Sequence, residues 1–129
     1  MAKVDPKQIT LSIIIPTLNE ADFLPLLIAD INLYPDKFEL IIVDGSSTDL
    51  TQLIARLGGS NLLSLSEGNR GKQLNKGASI AQGEWLLFLH ADCRLKHNWS
   101  SKVREIIEDK SKKRYAWYFD FNINKKGLI

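Results

Sequence analysis

The chain has 129 residues and a mass of 14.6 kDa, a size that favours a single domain. Its composition, 44% hydrophobic and 25% charged with 8 Gly and 4 Pro, excludes a collagenous, low-complexity or wholly disordered protein, and the lone Cys93 excludes a disulfide framework or an all-cysteine zinc site. Charge is divided unevenly, with 4 Lys/Arg against 8 Asp/Glu in residues 1–66 and 13 against 7 in residues 67–129; a basic second half suits a phosphorylated ligand, nucleic acid or an anionic surface, or is simply solvated.

Residues 1–8 are polar, contain Pro6 and read as a loose tail. Ile9 to Ile15 is an apolar, β-branched run on both parities, the pattern of a strand buried on two faces, and Pro16 is expected to end it. Glu20 to Tyr34 then shows helical spacing at Phe23, Leu24, Leu27, Ile28 and Ile31, with Pro25 near its front and Pro35 beyond its end. Phe38 to Val43 is a second buried strand. The turn Asp44–Asp49 follows, with Thr48 or Asp49 placed to cap a helix that Gly58 and Gly59 stop. Asn61 to Leu65 predicts a short third strand, and 67–71 a loop that includes Arg70. Lys72 to Ala81 predicts a helix with Leu74, Ala78 and Ala81 on one face. Trp85 to Leu89 is a fourth strand, Trp99 to Glu108 a helix, and Tyr115 to Ile123 a fifth strand, before a frayed end at 124–129. The expected domain therefore spans residues 9–123.

Strands alternating with helices predict an α/β, Rossmann-like fold: a mainly parallel sheet with right-handed crossovers and helices on both faces. In such sheets ligands bind outside the carboxyl ends of the strands. Three polar clusters fall there: Pro16 to Glu20, Asp44 to Asp49, and His90 to Asp92, with Arg70 in the loop after the third strand. Thr17 and Asn19 offer hydroxyl, amide and backbone groups, and Asp44 offers an acceptor. Arg70 is a permanently charged fork suited to phosphate or a base edge. Asp92 is a hard oxygen ligand of the kind Mg²⁺ or Mn²⁺ takes alongside substrate phosphates. Each residue taken singly is equally well a turn or helix-cap residue; three successive strand ends together point to a nucleotide diphosphate with a divalent cation.

The blocks Ser12-Ile-Ile-Ile-Pro-Thr-Leu-Asn-Glu, Glu39-Leu-Ile-Ile-Val-Asp-Gly-Ser-Ser-Thr-Asp and Gly77-Ala-x4-Gly-Glu-Trp-Leu-Leu-Phe-Leu-His-Ala-Asp resemble the family 2 glycosyltransferases, and in particular a short bacterial branch with a Leu-His-Ala-Asp strand end. The resemblance covers about residues 11–122. It implies the nucleotide-binding part of a GT-A fold. It also implies transfer of a sugar from a nucleotide diphosphate donor, UDP-sugar favoured, to an unknown acceptor with Mn²⁺ or Mg²⁺. Carried over, Pro16 and Thr17 line the nucleoside pocket with Glu20 beside them, and Asn19 is counted with the nucleotide-binding residues. Asp44 takes the base edge, and Ser46 lies in the same turn. Arg70 sits over the base or near the diphosphate, and Ala91 and Asp92 fall on the acidic motif, with Asp92 as the metal ligand.

Two departures stand out. His90 and Ala91 occupy positions where many relatives carry further aspartates. Relatives also continue beyond the fifth strand into a segment that holds the acceptor site and the general base an inverting transfer needs. No catalytic base is identifiable here, so the chain reads as a donor-binding half truncated after it. Bare apolar surface is then expected near Trp117, Tyr118, Phe119 and Phe121; self-association would cover it, or these residues pack on Trp85 and Phe88.

His90, Asp92, Cys93 and His97 are zinc-like in type but not in spacing; residues 68–72 lack the full phosphate-loop pattern; Lys110–Arg114 reads as a solvated turn. No nucleic-acid partner is expected. With no apolar run long enough to span a bilayer and no signal-peptide core, the chain is expected in the cytoplasm. The rival readings are a non-catalytic nucleotide-binding or regulatory short form; a sugar-phosphate nucleotidyltransferase, which would want a glycine-rich basic loop after the first strand; and, third and weaker, a nucleic-acid binder resting on the basic second half.

Overall fold

The computed structural model describes residues 9–118, without the side chain of Arg114. Four strands and four helices alternate: β1 (Leu11–Thr17), α1 (Leu24–Ile31), β2 (Phe38–Asp44), α2 (Thr51–Leu57), β3 (Asn61–Ser64), α3 (Arg70–Ile80), β4 (Trp85–Phe88) and α4 (Trp99–Glu108), followed by a 3-10 turn over Lys110–Arg114. The strands form one parallel sheet in the order β3-β2-β1-β4.

The run of β-branched residues explains why β1 and β2 are central. Ile13, Ile14, Ile15, Ile41, Ile42 and Val43 are wholly buried, and each such side chain contributes about 1.5–3 kcal/mol of apolar burial. Parity divides them between two layers. Leu11, Ile13, Ile15, Leu40 and Ile42 meet α1, α2 and α4 on one face. Ile14, Ile41 and Val43 meet Leu74 and Ala78 of α3, and Ala81 just beyond its end, on the other. Helices thus cover both faces, as the alternating pattern predicts.

Pro16 does not end β1. The strand runs on to Thr17, with Pro16 opposite Val43 and Thr17 opposite Asp44. The reason lies in the alternation of parallel pairing. The Ile14 carbonyl accepts from Leu89 on the β4 side, and the Thr17 carbonyl accepts from Gly45 on the β2 side. Pro16 shares the parity of Ile14, so its missing N–H faces the side where β4 has already finished, and no ladder bond is lost.

The loop after β4 is tied down at both ends. At its start Leu89 bonds Ile14. Further on, the Arg94 guanidinium donates twice to the buried Asp30 carboxylate, at 2.8 and 3.0 Å, and the Leu95 N–H donates to it at 3.0 Å. The Trp99 indole then donates to the Asp30 carbonyl at 3.1 Å, and its ring stacks on Tyr34 at 5.5 Å. Asp92 lies between these anchors.

The expected fifth strand is not formed over Tyr115–Tyr118. There the chain curls back on the 3-10 turn: the Trp117 indole donates to the Lys112 carbonyl, Tyr115 meets Trp117 edge-on, and the Lys112 ammonium lies over the Trp117 ring. Trp117 and Tyr118 are exposed and do not cover Phe88, which also remains exposed with Leu86. Register with Ser12 and Ile14 puts Leu86 and Phe88 on the α3 face of the sheet. Phe119 to Ile123, with the tail 1–8 and the end 124–129, lie outside the described residues.

Candidate functional site

The carboxyl end of β1, the loop after it and the start of α3 surround an open cleft of about 320 Å³, lined by Pro16, Thr17, Leu18, Glu20, Gly68, Asn69, Arg70 and Gln73. A larger concavity, about 430 Å³, lies along α4 and the 3-10 turn, far from the strand ends. Its lining of Ser101, Arg104, Glu105, Glu108, Asp109 and Lys112 is a solvated helix surface, where Arg104 already pairs with Asp36 at 2.8 Å.

Two left-handed residues shape the loops at the cleft: Asn19 at φ 53° and Ser46 at φ 68°. Asn tolerates this region better than most residues because its short side chain bonds nearby backbone. Here the Asn19 amide oxygen accepts from the Thr48 N–H at 2.9 Å, and its own N–H donates to the Ser47 hydroxyl at 2.8 Å. Asn19 therefore fastens the β1 loop to the β2 loop. The Ser46 hydroxyl donates to the Leu65 carbonyl at 2.6 Å and fastens the β2 loop to the end of β3. Both residues, expected among the nucleotide-binding residues, act here as loop ties and are not part of the cleft lining.

Asp44 lies beneath the cleft and is fully buried. One carboxylate oxygen accepts from the Thr17 and Ser47 hydroxyls, both at 2.6 Å. The other accepts from the Ser47 N–H at 2.8 Å and the Gln52 amide at 2.9 Å. A carboxylate has about four acceptor positions, and all are used. Burial pushes its pKa up, but the bonds from Ser47, Thr17 and Gln52 outweigh burial and hold the carboxyl below its usual range. A base edge would reach Asp44 only by displacing one of these donors. The residue joins β1, β2 and α2, and sets the position of Thr17.

Asp49, expected as a helix cap, accepts from the Thr51 N–H at 2.9 Å, from the Thr51 hydroxyl and from the Ala21 N–H. The helix itself begins one residue later than that cap would place it, with Leu50 at the N-cap position.

Glu20 sits half-buried at the cleft edge, its N–H donating to the Thr51 hydroxyl at 2.9 Å. Burial raises its pKa, the negative field of Asp92 adds to the rise, and Arg70 opposes it. Glu20, Asp92 and Arg70 therefore share one electrostatic neighbourhood, although they come from the ends of three different strands or loops. Arg70 is not in a loop, as the sequence suggests, but is the first residue of α3; Asn69 is the N-cap, its side chain accepting from the Lys72 N–H at 3.1 Å. The Arg70 guanidinium is exposed and takes part in no ion pair among the described residues.

Ala91 is buried against the first core layer, so a ligand could meet only its backbone. Asp92 is exposed. Among the described residues no group of three or more His, Cys, Asp or Glu side chains is arranged to hold a metal. One exposed carboxylate is a hard oxygen donor that fits Mg²⁺ or Mn²⁺ when most of the remaining ligands are phosphates and water. The neighbouring Cys93 thiol is pushed up by burial and by Asp92, which disfavours the thiolate.

Gln73 escaped the sequence reading. Its amide is buried on the inner face of α3 and donates to the Thr17 carbonyl at 2.9 Å and the Val43 carbonyl at 2.7 Å, while its oxygen accepts from the Asn69 N–H at 3.0 Å. The available signal was a lone amide beside the apolar stripe of Leu74, Ala78 and Ala81.

The family model for glycosyl transferase family 2 matches residues 12–120, so the chain belongs to that family. A PGL/p-HBAD biosynthesis glycosyltransferase of Mycobacterium bovis is 43% identical over 88 residues, covering 63% of this chain and 34% of that protein. The chain thus spans about a third of the length of the curated relatives it matches. Two solved structures share the fold. A mannosyltransferase from Pyrobaculum calidifontis in complex with GDP-Man and Mn²⁺ has a TM-score of 0.71 at 23% identity, over 82% of this chain and 34% of that one. Glucosyl-3-phosphoglycerate synthase from Mycobacterium tuberculosis, in complex with Mn²⁺, UDP and glucosyl-3-phosphoglycerate, has a TM-score of 0.58 at 23% identity, over 68% and 36%. The four-stranded sheet with its helices is therefore a GT-A-type α/β fold. No helix among the described residues is long and apolar enough to cross a membrane.

Proposed function

We propose that this chain binds the nucleotide diphosphate of an activated sugar, UDP-sugar favoured, in the cleft at the end of β1 and the start of α3, for transfer of the sugar to an acceptor. The observation that carries this reading is the placement of an exposed Arg70, with no ion pair among the described residues, at the start of α3 in a cleft that Pro16, Thr17 and Glu20 also line, with Asp92 close enough to perturb Glu20. The family and the neighbours that hold GDP-Man and UDP, each with Mn²⁺, support it.

In this reading Pro16 and Thr17 present the edge of β1 to the nucleoside, with Asp44 holding Thr17 in place from below. Arg70 pairs with the diphosphate through its planar fork. Asp92 would hold the divalent cation, which when bound supplies positive charge to the leaving diphosphate. Arg70 would add a permanent positive charge to the same developing charge on the diphosphate. Burial and Asp92 raise the pKa of Glu20 while Arg70 opposes the rise, so Glu20 lies within the field of both charged groups.

The test is titration calorimetry of the chain with UDP, GDP and ADP, each with and without Mn²⁺. Binding of one nucleotide, strengthened by Mn²⁺ and weakened about tenfold or more in Arg70→Met, is expected. Binding of none, or binding that Arg70→Met leaves unchanged, overturns the proposal.

A further inference from the structure

We infer that Gln73 is the positioning residue that sets Arg70 over the cleft, an inference that rests on the nucleotide reading above. Arg70 and Gln73 stand three residues apart on α3, so they share a face of the helix. Gln73 is the anchor on that face and Arg70 the working end.

The anchoring is unusually complete for one side chain. Both amide hydrogens reach carbonyls at the ends of different strands, Thr17 of β1 and Val43 of β2. The amide oxygen takes the N–H of Asn69, the residue before Arg70. In turn the Gln73 N–H donates to the Asn69 carbonyl at 2.9 Å. The arrangement resembles a capping box, but the reaching side chain lies one residue further into the helix and spends its two donors on the sheet. Three segments, separated by as many as 56 residues in sequence, are held by one buried group.

A second observation fixes the same spot. A Cβ on Gly45 would lie 2.6 Å from the Gly68 Cα, and a Cβ on Gly68 would lie 2.7 Å from a Leu18 methyl. The loop that leads into Arg70 is therefore stacked directly on the turn after β2, with no room for a side chain between them. The glycine contact sets how close this loop comes, and Gln73 sets where along the strand ends the helix begins. Without the amide, the Thr17 carbonyl keeps the Gly45 N–H but loses its bond to α3, and the Val43 carbonyl and the Asn69 N–H lose their bonds to the Gln73 side chain, so the start of α3 loses its directional tie to β1.

A residue that acts through Arg70 and one that merely supports the fold differ in a double-mutant cycle. Nucleotide diphosphate affinity, using whichever of UDP, GDP and ADP the native chain binds, is measured for the native chain, Gln73→Met, Arg70→Met and the double variant. Gln73→Met should weaken binding about tenfold when Arg70 is present and less than about twofold when it is absent. Gln73→Asn, which keeps the amide on a shorter stem and adds no charge, should fall between the native chain and Gln73→Met, and replaces the latter in the cycle if that variant melts below the assay temperature. An equal loss with and without Arg70, or no loss in the native background, overturns the inference while leaving the nucleotide reading intact. Absence of nucleotide binding by the native chain removes that reading, and the inference with it.

Discussion

Asp44 offers the sharpest test of how the strand ends are held. Asp44→Asn keeps shape and volume but replaces one carboxylate oxygen with an amide donor. That oxygen accepts two bonds, either from Thr17 and Ser47 or from Ser47 and Gln52. An amide nitrogen towards Thr17 and Ser47 meets hydroxyls that can turn to accept, and one towards the Ser47 N–H and Gln52 meets donor against donor; either way the charge that strengthens all four bonds is lost at a site with no solvent exposure. Hydrogen bonds to a charged group are each worth about 1.5–3 kcal/mol. Ser47 and Gln52 are only half-buried and recover some hydration, so the expected net cost is about 3 kcal/mol near pH 7, a large share of the 5–15 kcal/mol typical of a domain. The cost must also depend on pH. The folded carboxyl lies below its ordinary range because its hydrogen bonds outweigh burial. Its stabilisation is thus fully present above the unfolded pKa of about 3.9 and is lost as pH falls through the lower folded value. Urea unfolding of both proteins at pH 7 and in steps below pH 4 should show the difference shrinking as the native carboxyl protonates and comes to resemble the amide. A cost below about 0.5 kcal/mol at pH 7, or one that does not change with pH, would refute the assigned network.

Three further outcomes are expected. Asp92→Ala should abolish the strengthening of nucleotide binding by Mn²⁺ while leaving metal-free affinity within about twofold, measured by calorimetry. Gly77→Ala should destabilise by about 1–3 kcal/mol despite the better helix propensity of alanine, because the new methyl would lie 2.5 Å from Ile14 and 3.3 Å from Val43 in the α3 layer; chemical denaturation measures it. Asp30→Asn should lower stability by about 1 kcal/mol and loosen the loop that carries Asp92, seen as faster amide exchange over 90–95. The bond from Arg94 chiefly holds Asp30 below the usual carboxylate range, so this difference should likewise persist above pH 4 and fade in acid.

The order of elements is a local property, and it can be read from the chain without the fold. Ile13 to Ile15 and Ile41 to Val43 are apolar on both parities because strands covered by helices on two faces have no polar side. Trp99–Glu108 is a helix over the predicted range, and Gly59, at φ 78°, lies in the stop that the glycine pair predicts after α2. The motifs placed Thr17, Asp44, Arg70 and Asp92 near the same edge for the same reason: in a parallel sheet, every strand exit points one way.

Which of those residues faces the cleft and which lies beneath it depends on partners far away in sequence. Asp44 has the composition of a ligand-binding turn residue, yet donors from Thr17 and Gln52 fill its carboxylate only once β1, β2 and α2 are assembled. Pro16 looks like a strand breaker until the short reach of β4 leaves its side of β1 unpaired. The aromatic run from Tyr115 reads as a strand by alternation, but the Trp117 bond to Lys112 turns its start back on the 3-10 turn. Gln73 carries no local mark of its role, since an amide is an ordinary helix residue. Its function exists only where the ends of β1 and β2 present two carbonyls to the first turn of α3. Periodicity reports which side of an element is buried; hydrogen bonds across the sheet depend on register and packing, which only the folded chain defines.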